Sequence, residues 1–207
     1  HGPEVAYSWF ASMLELQAHL MMNGREGGYI AMRYGSGGIT EARNKVAAMM
    51  IDRPVDWLFW IDTDMGFAPD TIDRLLEVAD PEERPVVGGL CYVSHETGPD
   101  GLGGYITEPV PTIYRWAQLP DGQTGFAAWG DHPKDEVVRC DATGAACILI
   151  HRSVFERIGD HWYSPKVNPQ TGETFGEDMS FCIRLVEHDI PLHVHTGVVT
   201  SHLKPIW

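Results

Sequence analysis

The chain has 207 residues, a net charge of −14 at pH 7, 43% hydrophobic and 21% charged side chains. That length and balance suit one soluble domain with a sizeable core, or one domain carrying a loop insertion. The 15 Lys and Arg residues are scattered, which excludes a broad nucleic-acid surface, and no apolar run approaches the roughly 20 residues that cross a bilayer. Nothing reads as a signal peptide. Cys91, Cys140, Cys147 and Cys182 show no C-x-x-C pairing and no dense spacing, so reduced thiols in a cytoplasmic protein are expected. The sequence opens at His1 rather than Met, and reads as a processed, tagged or trimmed form with room for an element upstream.

Val5, Trp9, Met13, Leu16 and Leu20 recur at three- and four-residue steps. They predict an amphipathic helix over 4–22, begun near Pro3 and ended by Asn23-Gly24. Residues 29–33 are a strand candidate and 35–38 a Gly-rich loop. A helix rich in Ala and Met is expected over 40–51. Residues 56–61 read as a buried strand of bulky side chains, left through a turn at 62–66. Pro69, Asp70 and Asp73 open a third helix, with carboxylates placed at the positive end of its dipole. The Val/Gly/Leu run of 85–92 predicts a strand covered on both faces. Residues 94–135 are rich in Gly, Pro, Thr and Trp, and read as an irregular β insertion with strand-like pieces at 111–117 and 125–129. Strands follow at 137–141 and 145–150, then a short helix at 153–158 stopped by Gly159. A helix over 177–188 should turn Phe181, Cys182, Leu185 and Val186 inward. Strands at 192–195 and 198–201 close the chain. Alternation of strand and helix predicts an α/β fold with a mostly parallel, Rossmann-like sheet flanked by helices, and antiparallel β additions in the second half.

The sharpest chemical feature is Trp57-Leu58-Phe59-Trp60-Ile61-Asp62-Thr63-Asp64. A strand delivers two carboxylates, one residue apart, to the sheet edge where ligands bind in α/β folds. Alternate residues of an extended segment share a face, so both Asp side chains are placed to reach one cation. Hard carboxylate oxygens suit Mg²⁺ or Mn²⁺, which would also hold diphosphate oxygens. An acidic protein handling a diphosphate needs such a cation to offset repulsion. A solvated turn is the competing reading, since D-x-D also occurs by chance.

The order of Ile39-Thr40-Glu41-Ala42-Arg43-Asn44, the Trp57–Asp64 strand and Gly88-Gly89 resembles the GT-A glycosyltransferases, especially the family 2-like group. The resemblance implies a donor that is a nucleotide-diphosphate sugar, UDP- or GDP-linked, in a hexosyltransferase-type reaction. It places Arg43 and Asn44 near the sugar-nucleotide, although both residues suit bracing of helix and sheet. Thr143-Gly144-Ala145-Ala146-Cys147, leading to His151-Arg152, is similar to that family's small-residue strand, where Gly144 would let donor and acceptor approach the backbone. Phe175-Gly176-Glu177-Asp178 resembles the acidic pair that opens a helix beneath the acceptor site. There Asp178 would be the general base of an inverting transfer, with Glu177 beside it; simple helix capping also fits. The resemblance implies that a late His, best matched by His202, completes a metal site with Asp62 and Asp64, Thr63 lying between them. His193 and His195 read as structural. Trp162, Tyr163 and Phe175 suit either sugar stacking or the core.

The match runs from about residue 4 to 204 as one domain. It lacks the first strand that helps bind the base in such folds, so base and acceptor stay open. Rival readings are a nucleotidyltransferase acting on a sugar phosphate, a non-catalytic carbohydrate-binding domain and a zinc hydrolase. The first lacks a Gly-rich loop with a following basic residue. The second does not need Asp62, Asp64 and Asp178. The third lacks an H-E-x-x-H helix.

Overall fold

The computed structural model describes residues 5–25, 28, 30, 37–99, 101, 104–118, 122 and 124–202. The strand candidate at 29–33, Ile30 excepted, and the first half of the Gly loop at 35–38 lie outside them. The chain order is α1 (Tyr7–Met22), α2 (Gly38–Ile51), β1 (Trp57–Ile61), β2 (Met65–Gly66), α3 (Thr71–Val78), β3 (Val86–Leu90), β4 (Tyr92–Pro99) and β5 (Tyr105–Pro111). It continues with β6 (Ile113–Gln118), β7 (Thr124–Ala128), β8 (Val137–Cys140), β9 (Ala142–Thr143), β10 (Cys147–His151), α4 (Arg152–Ile158), α5 (Glu177–Glu187), β11 (Leu192–Val199) and β12 (Ser201–His202).

Five strands form the central sheet in the order β1-β10-β3-β11-β8. Strand β3 is buried along its whole length, and its alternation serves two layers. Val86 and Leu90 join the core made with Phe155, Phe181 and Leu185 of α4 and α5. Val87 and Cys91 join the opposite core around Leu75 of α3. Glycine at 89 lets β3 lie close to β11, because a Cβ there would stand 3.1 Å from the Val198 carbonyl and 3.0 Å from Cys147 Sγ.

The expectation of a mostly parallel sheet is corrected. Strands β1, β3 and β11 run the same way, yet the pairs β1–β10, β10–β3 and β11–β8 are antiparallel and only β11–β3 is parallel. The sheet is mixed because β10 returns between β1 and β3. Both β10 and β8 arrive after the long β segment, and apolar patterning carries no information about strand direction. Among the described residues β1 is an edge strand, half-buried throughout, whereas its bulky sequence predicts a buried one.

The insertion is also more regular than its composition implies. It holds two consecutive antiparallel hairpins, β4–β5 and β6–β7, and β9 adds to β6. The two strand-like pieces expected there coincide with β6 and β7; the β4–β5 hairpin was not legible. In α5, Phe181, Cys182 and Leu185 are buried as expected, but Val186 is 61% exposed. It follows Leu185 by one residue, which turns it about 100° around the helix and off the inward stripe. Helix α1 packs Trp9 and Leu16 against Phe67, and Ala6 donates its backbone N–H to the Thr63 carbonyl at 2.9 Å. The four cysteines are free and buried. No described helix is long and apolar enough to cross a membrane.

Candidate functional site

The end of β1 is where the chain concentrates polar groups. Asp62 donates its backbone N–H to the Ala146 carbonyl at 3.0 Å, extending the β1–β10 ladder by one bond. Its carboxylate accepts from the Trp60 indole at 2.8 Å and from Arg43 at 3.1 Å. Arg43 is 2% exposed. It reaches from α2 to donate to the Ala145 carbonyl at 3.0 Å, stands 4.6 Å from the Trp60 ring centre, and lies 3.6 Å from Glu177. A buried guanidinium needs several acceptors to offset its desolvation, and here they come from β1, the turn before β10, and the start of α5.

Past Asp62 the backbone turns, with the Met65 N–H bonded to the Asp62 carbonyl at 3.2 Å. The expected extended geometry, with both Asp side chains on one face, is therefore replaced by a turn that separates them. Asp62 faces Arg43, while Asp64 faces His202 at 2.9 Å. Register produces the second contact: β12 pairs antiparallel with β2, setting His202 opposite Met65 and so beside Asp64.

A cavity of about 180 Å³ gathers Arg43, Asp62, Gly144, Glu177, Asp178 and His202. Ala145 and Ala146 also line it, so the small residues after β9 leave the cavity open beside the backbone. A larger cavity of about 770 Å³ lies between the β6–β7 hairpin and the segment leading into α5. Tyr114 and Asp178 line both. Asp178 sits in the first turn of α5 and accepts the Met179 N–H at 2.7 Å. Burial first, then the charge of Asp178, pushes the Tyr114 phenol above its ordinary 10.0.

Of the expected site residues, Arg43, Asp62, Gly144, Glu177, Asp178 and His202 share the small cavity, Asp64 joins them only through His202, and Asn44 and Thr63 stand apart. Asn44 is absent from the lining of the small cavity and instead accepts the Tyr163 backbone N–H at 3.0 Å. In this position it braces α2 against the chain after α4. Thr63 is exposed and also outside the lining. Trp162 and Tyr163 are core residues: Trp162 donates to the Phe155 carbonyl at 2.9 Å and Tyr163 stacks on Phe181. Phe175 lines the larger cavity. His193 and His195 lie on β11 opposite Arg139 and Val137, where burial lowers the pKa of each.

Tyr114 escaped the sequence reading, as did Thr112, Cys91 and Val93 in the small cavity. Tyr114 stood in a recognised strand piece, and only tertiary pairing with β9 carries it to the site. The signal was present for Trp60, since a residue two before Asp62 on a strand shares its face.

The donor set of Asp64, His202 and nearby Asp62 suits Mn²⁺ or Mg²⁺, which accept carboxylate and, for Mn²⁺, imidazole ligands. Two of the three expected ligands touch, and the third lines the same cavity as His202. Among the described residues no cluster of three or more His, Cys, Asp or Glu groups is drawn together as metal ligands, and the Asp62 carboxylate is bonded to Arg43 and Trp60.

No protein-family profile matches the sequence, and no characterised protein is similar to it in sequence. The fold does have relatives. The crystal structure of GalNAc-T7 with UDP, GalNAc and Mn²⁺ aligns with 97% of this chain at TM-score 0.53 and 15% identity. The likeness is one of fold, a mixed α/β sheet flanked by helices. The chain spans 36% of the GalNAc-T7 chain. A second solved structure, A197 from STIV, covers 93% of this chain and 80% of its own at 18% identity and TM-score 0.48. The small cavity lies at the C-terminal ends of β1 and β3, the side of an α/β sheet where ligands bind, and the larger cavity adjoins it at Tyr114 and Asp178.

Proposed function

We propose that the chain is a metal-dependent glycosyltransferase that moves a sugar from a nucleotide-diphosphate sugar to an acceptor hydroxyl with inversion. The observation that carries this reading is Asp178, a carboxylate at the junction of two cavities. One cavity holds Asp62, Arg43 and His202; the other is lined by aromatic and uncharged polar groups together with the carboxylates of Glu173 and Asp178.

The small cavity, at about 180 Å³, falls below the roughly 300–1,000 Å³ of a site for a whole drug-sized ligand. It fits the sugar–diphosphate end of a donor. Asp64 and His202, with Asp62, are the residues that would hold the cation. A divalent cation bound there supplies charge neutralisation for the departing diphosphate. Arg43 fixes the Asp62 carboxylate and lends positive charge to that wall. Gly144 and Ala145 leave room for the donor sugar beside the backbone.

Asp178 accepts the acceptor's hydroxyl proton as the oxygen attacks the anomeric carbon. Its place in the first turn of α5 sets it at the rim shared by the two cavities. Glu177 sits beside Arg43, and its role is to hold that guanidinium. The GT-A likeness supports this reading, and because that neighbour was crystallised with UDP, GalNAc and Mn²⁺, UDP-sugars are the first donors to try.

The test is nucleoside-diphosphate release from a panel of UDP- and GDP-sugars with Mn²⁺, with simple glycosides as acceptors and water as the stand-in acceptor in their absence, for the wild type and Asp178→Asn. Release by the wild type and a loss of about 10²–10⁴-fold in Asp178→Asn are expected. Full activity in Asp178→Asn would remove the inverting assignment.

A further inference from the structure

The larger cavity is built almost entirely from segments that the sequence reading left without a role. At about 770 Å³ it lies within the range of a site for a small organic ligand. Its walls are tied together. Gln170 donates its side-chain amide to Thr124 Oγ1 at 3.2 Å, joining the loop before α5 to the β6–β7 hairpin. That loop is itself a tight reversal, with Asn168 N–H bonded to the Glu173 carbonyl at 2.7 Å and Gly172 N–H to the Asn168 carbonyl at 2.8 Å.

The lining has a definite chemistry. Phe126 and Phe175 meet edge to face at 6.1 Å and 71°, and Tyr114 adds a third ring. Together they make an aromatic corner that offers ring faces and ring edges to one guest. Around it stand Thr124, Thr171 and Asn168, all uncharged hydrogen-bonding groups, while Glu173 and Asp178 supply negative charge. Among the described residues no Lys or Arg lines the cavity, and the chain carries a net charge of −14. Phosphorylated, sulfated and uronic acceptors would meet only like charge here.

We infer that this cavity takes a neutral saccharide as the acceptor, its apolar C–H face against the Phe126–Phe175 corner and one hydroxyl directed at Asp178. The inference rests on the glycosyl-transfer reading for the word acceptor, and on the cavity alone for the word saccharide. Hydroxyls ringed around an apolar face match uncharged polar groups ringed around an aromatic corner. A glycan acceptor is thus favoured over a peptide, a lipid phosphate or a nucleic acid.

The experiment is saturation-transfer NMR and titration with methyl glycosides of glucose, galactose, mannose, N-acetylglucosamine and N-acetylgalactosamine. Methyl glucuronide and a Ser/Thr peptide serve as comparators. At least one neutral glycoside should bind the wild type more tightly than either comparator. Phe126→Leu, which keeps bulk but removes the ring, should weaken it at least ten-fold. Glu173→Gln should leave neutral binding within a few-fold and improve glucuronide binding. Tighter binding of the peptide or glucuronide, no neutral binding at 10 mM (on the order of the weakest affinities that still give specific contacts), or an unchanged Phe126→Leu would overturn the assignment. A parallel titration with UDP and Mn²⁺ separates the two readings. Loss of UDP binding in the wild type strikes the glycosyl-transfer reading, while glycoside binding decides the cavity by itself.

Discussion

The Arg43 guanidinium and the Asp62 carboxylate lie 3.1 Å apart across the gap between α2 and the end of β1. Arg43 is almost wholly enclosed at 2% exposure, while Asp62 keeps 28%. The pair joins a helix whose Arg is set between Trp60 and Tyr163 to the first carboxylate of the D-x-D turn. One side chain therefore fixes both the packing of α2 and the aim of Asp62.

Removing one partner of a buried ion pair leaves an uncompensated charge, at about 3–5 kcal/mol. Arg43→Ala should cost about 3 kcal/mol, the lower end of that range, because water still reaches Asp62. Urea denaturation measures it. Arg43→Lys, which keeps the charge but lacks the fork that serves Asp62 and Ala145 together, should recover only part.

Gly89→Ala should destabilise by about 1–3 kcal/mol through overpacking. The new methyl would press on the Val198 carbonyl and Cys147 Sγ, neither of which has free space. A thermal melt of the variant checks it. Gly98→Ala, where nothing lies within 4 Å, is the control and should change little.

Much of this architecture was legible because local pattern and burial agreed. Helices α1 and α5 and strands β3 and β10 follow from apolar patterning, α2 from its Ala- and Met-rich composition and α3 from Pro69, Asp70 and Asp73 at its start, and the Glu177-Asp178 pair stands at a helix start. What escaped depended on contacts distant in sequence. The direction of β10 follows from where the chain returns after the hairpins, not from its own residues. Asn44 turns to the Tyr163 backbone, 119 positions away in sequence, and Asp62 is drawn to Arg43 instead of staying on the face it shares with Asp64. Only the fold assembles the large cavity, from β6–β7 and the loop before α5, so composition could not reveal it.

Stability should fall in alkaline solution. Burial pushes the Cys91 thiol up to about 11 and the Cys182 thiol to about 12, whereas an unfolded thiol ionises near pH 8.5. A raised folded-state pKa makes this contribution complete below about pH 8.5, and it is lost as pH rises from there through about 11. Urea midpoints should decline between pH 8.5 and 10.5. A thiol alkylating reagent at pH 8 should label the folded chain at none of the four buried cysteines and the unfolded chain at all of them.

Asp178→Asn should leave the fold almost untouched. The loss of a first-turn carboxylate from α5 costs about 0.3–1 kcal/mol, so a melt shifted by more than a few degrees would mean that Asp178 is structural. Donor binding by this variant should match the wild type, because only proton removal from the acceptor depends on the carboxylate.

The most direct test of the central claim is calorimetric titration of UDP and GDP with Mn²⁺, with Mg²⁺ and with EDTA, into the wild type, Asp64→Ala and His202→Ala. The account predicts that one nucleoside diphosphate binds only with a cation and that either substitution weakens it at least ten-fold. At about 100 times its dissociation constant it should also stabilise the wild type by roughly 2.7 kcal/mol. Binding that survives EDTA and both substitutions would contradict the metal–diphosphate site at Asp64 and His202.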